Sequence, residues 1–285
     1  MKQTLAFVLY KLMSKISLKT THIFSNIIGN IAFILPIREQ KVSKINIERI
    51  FVDKSKKQLR YLLRKSLQES TKSVLESFPL WQMPANKIKE LVNVNGFEHI
   101  GGNQGIIFVC THLASWEIIN LWLAIHYPLS SLHRNSEMKS MNKIIQNKRQ
   151  KFGSTMVADG IKGVMILKKA LDKNEAILIA PDQDPGDSGS VMVNFFGKPA
   201  RTSTLVPKLA HKTQAKILLI YTIRQKQRFS LYIEPADKNV YHKNITKATQ
   251  QLNNCLERII LKAPEQYSWS YKRFKFQTDG SKFYN

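Results

Sequence analysis

Acidic residues are scarce in this chain. Of its 285 residues only 20 are Asp or Glu, against 44 Lys or Arg, so the formal charge is +24 near neutrality. An excess of that size points to polyanionic partners: nucleic acid, an anionic membrane or an acidic protein. Cysteine is scarcer still. Cys110 and Cys255, the two present, stand far apart, which excludes a disulfide framework and a cysteine zinc pattern and suits a reducing compartment. Cys110 lies inside an apolar run and reads as packing, not as a nucleophile. No Gly-x-Ser-x-Gly elbow occurs, so the usual hydrolase nucleophile is missing. Gly101-Gly102-Asn103-Gln104-Gly105 precedes a strand pattern instead of linking strand to helix, which excludes a dinucleotide fingerprint and leaves a turn. The acidic run at residues 182–187 lacks the glycine and terminal glutamate spacing of a calcium loop, and no metal site is expected.

Long hydrophobic runs are also lacking. A bilayer core needs roughly 20 apolar residues, and the best candidate, residues 23–35, is interrupted by Ser25, Asn26, Gly29 and Asn30 and closed by Pro36. A signal peptide does not fit, because Lys11 and Lys15 break the apolar region and no small-residue cleavage site follows. What is present at this end is amphipathic. Leu5, Leu9, Leu12 and Ile16 recur at helical spacing beside Lys11, Lys15 and Lys19, and the first 65 residues hold 14 Lys or Arg against Glu39, Glu48 and Asp53. Residues 1–36 therefore read as membrane-anchoring helices, monotopic or with a single N-terminal anchor, and residues 37–285 as one catalytic domain.

With 43% hydrophobic residues the chain has enough for a sizeable core. Residues 42–78 carry Leu59, Leu62, Leu63, Leu67, Val74 and Leu75 on one face, which predicts helix ended by Pro79 and Pro84. Beyond residue 80 strand and helix patterns alternate. Strands are predicted at 92–94, 106–110, 155–158, 176–180, 217–223 and 229–233. Helices are predicted at 115–126, 138–152, from 159 to 171, 202–211 and 245–261. That alternation gives an α/β fold, a mixed and mostly parallel sheet flanked by helices, with an N-terminal helical membrane-associated extension.

In open α/β sheets ligands gather beyond the carboxyl ends of strands. His112 lies there, in Thr111-His112-Leu113-Ala114-Ser115-Trp116-Glu117, and so does Pro181-Asp182-Gln183-Asp184. Ser115 reads as an N-cap that puts Glu117 in the first helical turn. There an ionised carboxylate is favoured and can hold one imidazole nitrogen of His112 while the other stays basic. Arg149 on the helix 138–152, and Arg134 before it, could clamp a phosphate or stabilise an oxyanion, although most helical arginines are solvated surface residues. In the loop 194–202, Phe195 and Phe196 read as core-lining aromatics that beside an acyl-binding groove would serve both purposes, Gly197 suits a turn, and Thr202 the cap of the next helix.

Taken together these blocks resemble the lipid A biosynthesis (late) acyltransferase family, within the lysophospholipid acyltransferase superfamily. The matching pieces are Thr111-His112 with Trp116-Glu117, Arg149-Gln150-Lys151-Phe152-Gly153, Asp182-Gln183, Phe195-Phe196-Gly197 with Ala200 and Thr202, and the late Gln266-Tyr267-Ser268-Trp269-Ser270-Tyr271-Lys272-Arg273-Phe274-Lys275. The resemblance implies O-acyl transfer from acyl carrier protein to a hydroxyl of a lipid A precursor or related glycolipid, at the cytoplasmic face of the bacterial inner membrane. In it His112 would be the general base, Glu117 its orienting acid, and Arg149 a binder of the acceptor or of developing negative charge. Arg134, Asp182, Gln183, Phe195 and Phe196 would bind substrate, and no cofactor is required. Asn135-Ser136-Glu137-Met138 departs from the family's usual Pro and Asn there, so an acceptor of a related branch, another glycolipid or an aryl-polyene-type lipid, stays open. From another class, a basic nucleic-acid-binding protein is the alternative. It lacks a recognition module, and no nucleic-acid partner is expected.

Overall fold

The computed structural model describes residues 10–134, 139–277, 280 and 282–284, with side chains from 142 onward in the helix that begins at Lys139. The predicted positions Leu5 and Leu9, and residues 135–138, lie outside the described residues. Between Leu18 and the first strand lie five helices: α1 (Leu18–Ile34), α2 (Arg38–Ile50), α3 (Lys56–Leu75), the single turn α4 (Ser77–Leu80) and α5 (Ala85–Leu91). Residues 42–78, expected as one helical stretch, are thus broken after Ile50. The cause is local, because Ser55 starts a new helix with a capping box. Its hydroxyl accepts from the Gln58 N–H at 3.3 Å, and the Gln58 side-chain oxygen accepts from the Ser55 N–H at 2.8 Å.

Helix α1 lies along α3, and Gly29 permits the approach. A Cβ at that position would stand 2.5 Å from the Gln68 Cα, inside any tolerable contact. His22 reaches from α1 to Glu76 at 2.8 Å. The opposite face of α1 carries Ile23, Phe24, Ile27, Ile28, Ile31 and Ile34, all exposed. Among the described residues no single helix is long and apolar enough to cross a membrane. Helices α1 and α2 pass that test together, but they bend by 78° at the break between them.

The body is built on strands β1 (Val92–Asn95), β2 (Ile106–Val109), β3 (Leu129–His133), β4 (Thr155–Ala158), β5 (Ala176–Ile179), β8 (Lys216–Gln225) and β9 (Arg228–Pro235). They form one sheet in the order β1-β9-β8-β2-β5-β3-β4, parallel throughout except for the antiparallel pair β8 and β9. Strands β2 and β5 are buried along their whole length, which is why both read as unbroken apolar runs. Helices α6 (Trp116–His126), α7 (Lys139–Arg149), α8 (Ile161–Asp172), α9 (Leu205–Thr213) and α10 (Ile245–Ile260) complete the order, with the hairpin β6 (Ser190–Phe195) and β7 (Lys198–Ser203) standing apart from the main sheet. Apolar side chains of α3, α8, α9 and α10 cover one face of the sheet, and those of α4, α5 and α6 the other.

The hairpin departs from the sequence-based expectation in two ways. Residues 194–202 are not a loop but most of the β6–β7 hairpin, turned at Phe196 and Gly197, both with positive φ (50° and 68°) as a tight two-residue hairpin turn requires. Thr202 accordingly sits in β7 and does not cap a helix; Thr204 stands at the N-cap of α9. Strand β3 was not foreseen either, because its Leu-Ser-Ser-Leu-His sequence lacks the apolar run of its neighbours. Its buried Ser131 is accommodated by donating to Asn120 at 2.7 Å.

Candidate active site

Sheet register assembles the site. Val109 of β2 pairs with Ile179 of β5, so His112 and Asp182 stand three residues beyond matched positions on adjacent parallel strands. On the far side of β5, His133 at the end of β3 pairs with Ala158 at the end of β4. The residues that follow, Arg134 and Asp159, meet at 3.2 Å. Four strand ends thus open into one cleft of about 270 Å³, lined among others by His112, Trp116, His133, Arg134, Arg149 and Gln183.

Asp182 holds His112 twice. One carboxylate oxygen accepts from the His112 backbone N–H and the other meets ring Nδ1, both at 2.9 Å. With Nδ1–H donating to Asp182, Nε2 is left as the acceptor, and the Gln183 amide N–H faces it at 3.4 Å. The imidazole keeps 25% of its side-chain exposure, whereas the Asp182 side chain is almost wholly buried. Burial disfavours the imidazolium, but the charge and hydrogen bond of Asp182 outweigh it, and His112 titrates above its ordinary range. Burial likewise opposes ionisation of Asp182. His112 and Arg273 overcome it and hold the carboxyl below the usual range. The Tyr267 phenol, buried against Asp182, is pushed far up and stays neutral.

Glu117 does not orient His112. It sits at the second position of α6, as expected, although the Ser115 side chain makes no capping hydrogen bond. Its carboxylate turns to Arg149 instead, accepting Nε–H at 3.0 and 3.1 Å on its two oxygens. The Trp81 indole N–H donates to it at 3.2 Å. The pair is nearly dry, with side-chain exposures of 4% for Glu117 and 8% for Arg149. Arg149 also donates to His133 Nδ1 at 2.9 Å, and its guanidinium lies 4.1 Å from the centre of the Trp116 ring. The same indole stands 5.8 Å from the His112 ring, so Trp116 separates the base from the ion pair. The i to i+5 spacing remains informative, because it brings the two groups to one cleft by way of different partners.

The loop carrying His112 is pinned from the far end of the chain. Ala114 N–H donates to the Gln266 carbonyl at 2.9 Å, Ser268 N–H donates to the His112 carbonyl at 3.1 Å, and Leu113 bridges Tyr267. Ala114 is held at φ 49°, with its carbonyl accepting from the Ser73 hydroxyl. Behind it, Arg224 joins Glu76, Glu69 and Ser73 in a buried ionic cluster.

The remaining predicted residues divide. Arg134 lines the cleft and is tied to the Asp184 carbonyl at 3.1 Å. Phe195 and Phe196 do not line it. Phe195 is buried against Phe274, and Phe196 packs 5.7 Å from Trp269 and 6.4 Å from Phe51. His133 and Trp81 were missed in the sequence: His133 ends a strand that carried no signal, and nothing near Trp81 marks it as a partner of Glu117. Cys110 is buried, and burial together with Asp182 pushes its thiol up, so it is no nucleophile. Among the described residues no cluster of three His, Cys, Asp or Glu side chains could hold a metal ion.

Residues 3–276 match the family model described as bacterial lipid A biosynthesis acyltransferase. The lipid A biosynthesis palmitoleoyltransferase of Escherichia coli (strain K12) is 24% identical over 251 residues, 85% of this chain and 81% of that protein. The lipid A biosynthesis lauroyltransferase of the same organism is 24% identical over 266 residues, 89% of this chain and 84% of that protein. Among solved structures, the 1-acyl-sn-glycerophosphate (LPA) acyltransferase PlsC of Thermotoga maritima aligns with a TM-score of 0.41 at 14% identity, over 84% of this chain and 98% of that one.

Proposed function

Because the chain belongs to the bacterial lipid A biosynthesis acyltransferase family, we propose that it moves a fatty acyl group from acyl carrier protein to a hydroxyl of a lipid A precursor, with His112 as general base and Asp182 as the acid that orients it. The observation that carries this reading is the double hold of Asp182 on His112 at the mouth of the cleft.

With Nδ1–H committed to Asp182, Nε2 takes the proton of the acceptor hydroxyl as its oxygen attacks the thioester carbonyl. The C–O bond forms, and the carbonyl oxygen becomes an oxyanion. Arg134 and Arg149 line the same cleft, and their positive charge favours that oxyanion. Collapse re-forms the carbonyl and breaks the C–S bond. The departing thiolate of the carrier receives the proton from His112, which returns the base to its starting form.

Two features away from the cleft support the partners. The +24 charge favours an acidic carrier protein and an anionic leaflet. The exposed apolar face of α1 suits a helix lying in the membrane interface, which would hold the catalytic body at the cytoplasmic face of the inner membrane. The same face disfavours a nucleic-acid-binding reading, which gives it no task.

The test is acyl transfer by purified protein, followed by mass spectrometry of the acceptor lipid. Wild type should add one acyl mass from acyl carrier protein, and His112→Ala should add none while still unfolding in one cooperative transition, at a lowered Tm. Transfer retained in His112→Ala would reject the assignment.

A further inference from the structure

A second, larger cleft of about 660 Å³ lies between α1, α2 and α3. None of its lining residues lines the His112 cleft. Its floor is apolar, made by Phe33 and the buried Ile47 and Leu63, with exposed Ile34 at its edge, and it is also lined by Lys44, Lys56 and Arg60 against one acid, Glu48. Lys44 stands 4.0 Å from Glu48 with both side chains about half exposed, a weak pair. Among the described residues neither Lys56 nor Arg60 has a carboxylate partner, and the Arg60 guanidinium instead lies 5.0 Å from the centre of the Phe33 ring. Cations left unpaired above an apolar floor fit a ligand with an anionic head and a greasy tail.

Position narrows the ligand further. Ile34, 77% exposed, ends the apolar face of α1 and also lines the cleft. The cleft therefore opens where that face ends, and the 78° bend between α1 and α2 holds it open. A protein partner chosen by charge alone would gain nothing from the apolar floor, whereas a lipid uses both.

We propose that this cleft binds a single anionic phospholipid, its phosphate between Lys56 and Arg60 with Lys44 alongside, and an acyl chain over Phe33 and Leu63. The site is separate from acyl transfer and does not depend on the reaction assigned to His112.

The probe is short-chain phosphatidylglycerol kept below its micelle concentration and titrated into full-length protein in mild detergent. Wild type should bind it saturably, and short-chain phosphatidylcholine at least about tenfold more weakly, the scale set by two basic side chains meeting a headgroup of net negative charge instead of one whose phosphate is balanced by its own choline. Lys56→Glu with Arg60→Glu should lose that preference. Lys56 sits at the first turn of α3, where a carboxylate is tolerated, and both positions are exposed. Lys57→Glu, the same charge change outside the cleft, should bind as wild type does. Leu59→Trp fills the cleft without altering charge. It should abolish saturable binding while leaving both the preference for phosphatidylglycerol vesicles and the His112-dependent transfer rate in detergent unchanged.

Three outcomes would overturn the proposal: no saturable binding by wild type, unaltered binding in Leu59→Trp, or inorganic phosphate competing as well as the lipid. Acyl carrier protein binding this face in a manner sensitive to Lys56→Glu and Arg60→Glu, with no lipid bound, would make it a protein dock and reject the lipid.

Discussion

Asp182 grips His112 at both its backbone and its ring, each contact at 2.9 Å. The hold fixes the tautomer and raises the imidazole's pKa in one arrangement. The basic form therefore appears only above the ordinary imidazole range, and the acid limb of kcat/KM should lie above about 6.5. Asp182→Asn removes the charge that raises the pKa and leaves the burial that lowers it. Its acid limb should move to lower pH, while the plateau rate falls by about 10²-fold or more as the ring loses its orientation. A pH profile of transfer for both proteins is the check. A limb that stays in place would remove Asp182 from its assigned task.

Folding should report the same pair. The raised pKa of His112 adds stability that is complete below the unfolded value near 6.5 and fades as pH rises through the folded one. The lowered pKa of Asp182 adds stability that is complete above about 3.9 and is lost as pH falls through the folded value. Urea melts should find wild type losing stability on the alkaline side of His112's titration, and Asp182→Asn should flatten that loss.

Glu117 has a different task, so its variants should fail differently. Glu117→Gln leaves Arg149 buried without its counter-charge, a loss of about 3–5 kcal/mol that a lowered Tm would register. Its acid limb should move much less than that of Asp182→Asn, because Glu117 is the smallest of the named influences on His112. Replacing both partners, Glu117→Leu with Arg149→Met, should recover much of the Tm without recovering transfer.

Ala114 offers a backbone test. At φ 49° it occupies a conformation that a β-branched side chain resists. Ala114→Val should lower stability by about 1–3 kcal/mol and slow transfer through misplacement of His112. Ala114→Gly should leave the Tm within a few degrees of wild type. Thermal melts with paired rate measurements decide it.

On the apolar face of α1, Ile27→Asp with Ile31→Asp should release the protein from salt-washed membranes into the soluble fraction. Both side chains are about half exposed in the fold, so the melting temperature should change little. Unaltered membrane recovery would show that this face is not the anchor.

How much of this was legible depended on range. The places of His112, Asp182 and Gln183 beside the cleft were legible because strand ends and turn residues announce themselves locally, whereas Arg134 and Arg149 were singled out only by the family resemblance, spacing alone favouring solvated side chains. Their pairing was not. Glu117 was matched to His112 as its near neighbour in the chain, yet the ring's partner lies 70 positions away and arrives through the register of β2 against β5. Strand β3 went unseen because parallel-sheet burial tolerates Ser130 and Ser131 when a partner such as Asn120 is at hand. Phe195 and Phe196 were read as core-lining and beside a groove at once, and the hairpin geometry keeps only the first, packing them beside Phe274 and Trp269.

The pinning of residues 112–114 by residues 266–268 imposes an order on assembly. During synthesis β2 and β5 leave the ribosome well before Tyr267, and can pair while the segment that fastens the His112 turn is still unmade. A nascent chain halted before that point could bring Asp182 to His112 but would lack the backbone contacts that fasten the turn carrying it. The fastening of that turn is therefore a late step, completed when emergence of a few residues locks a bend formed much earlier.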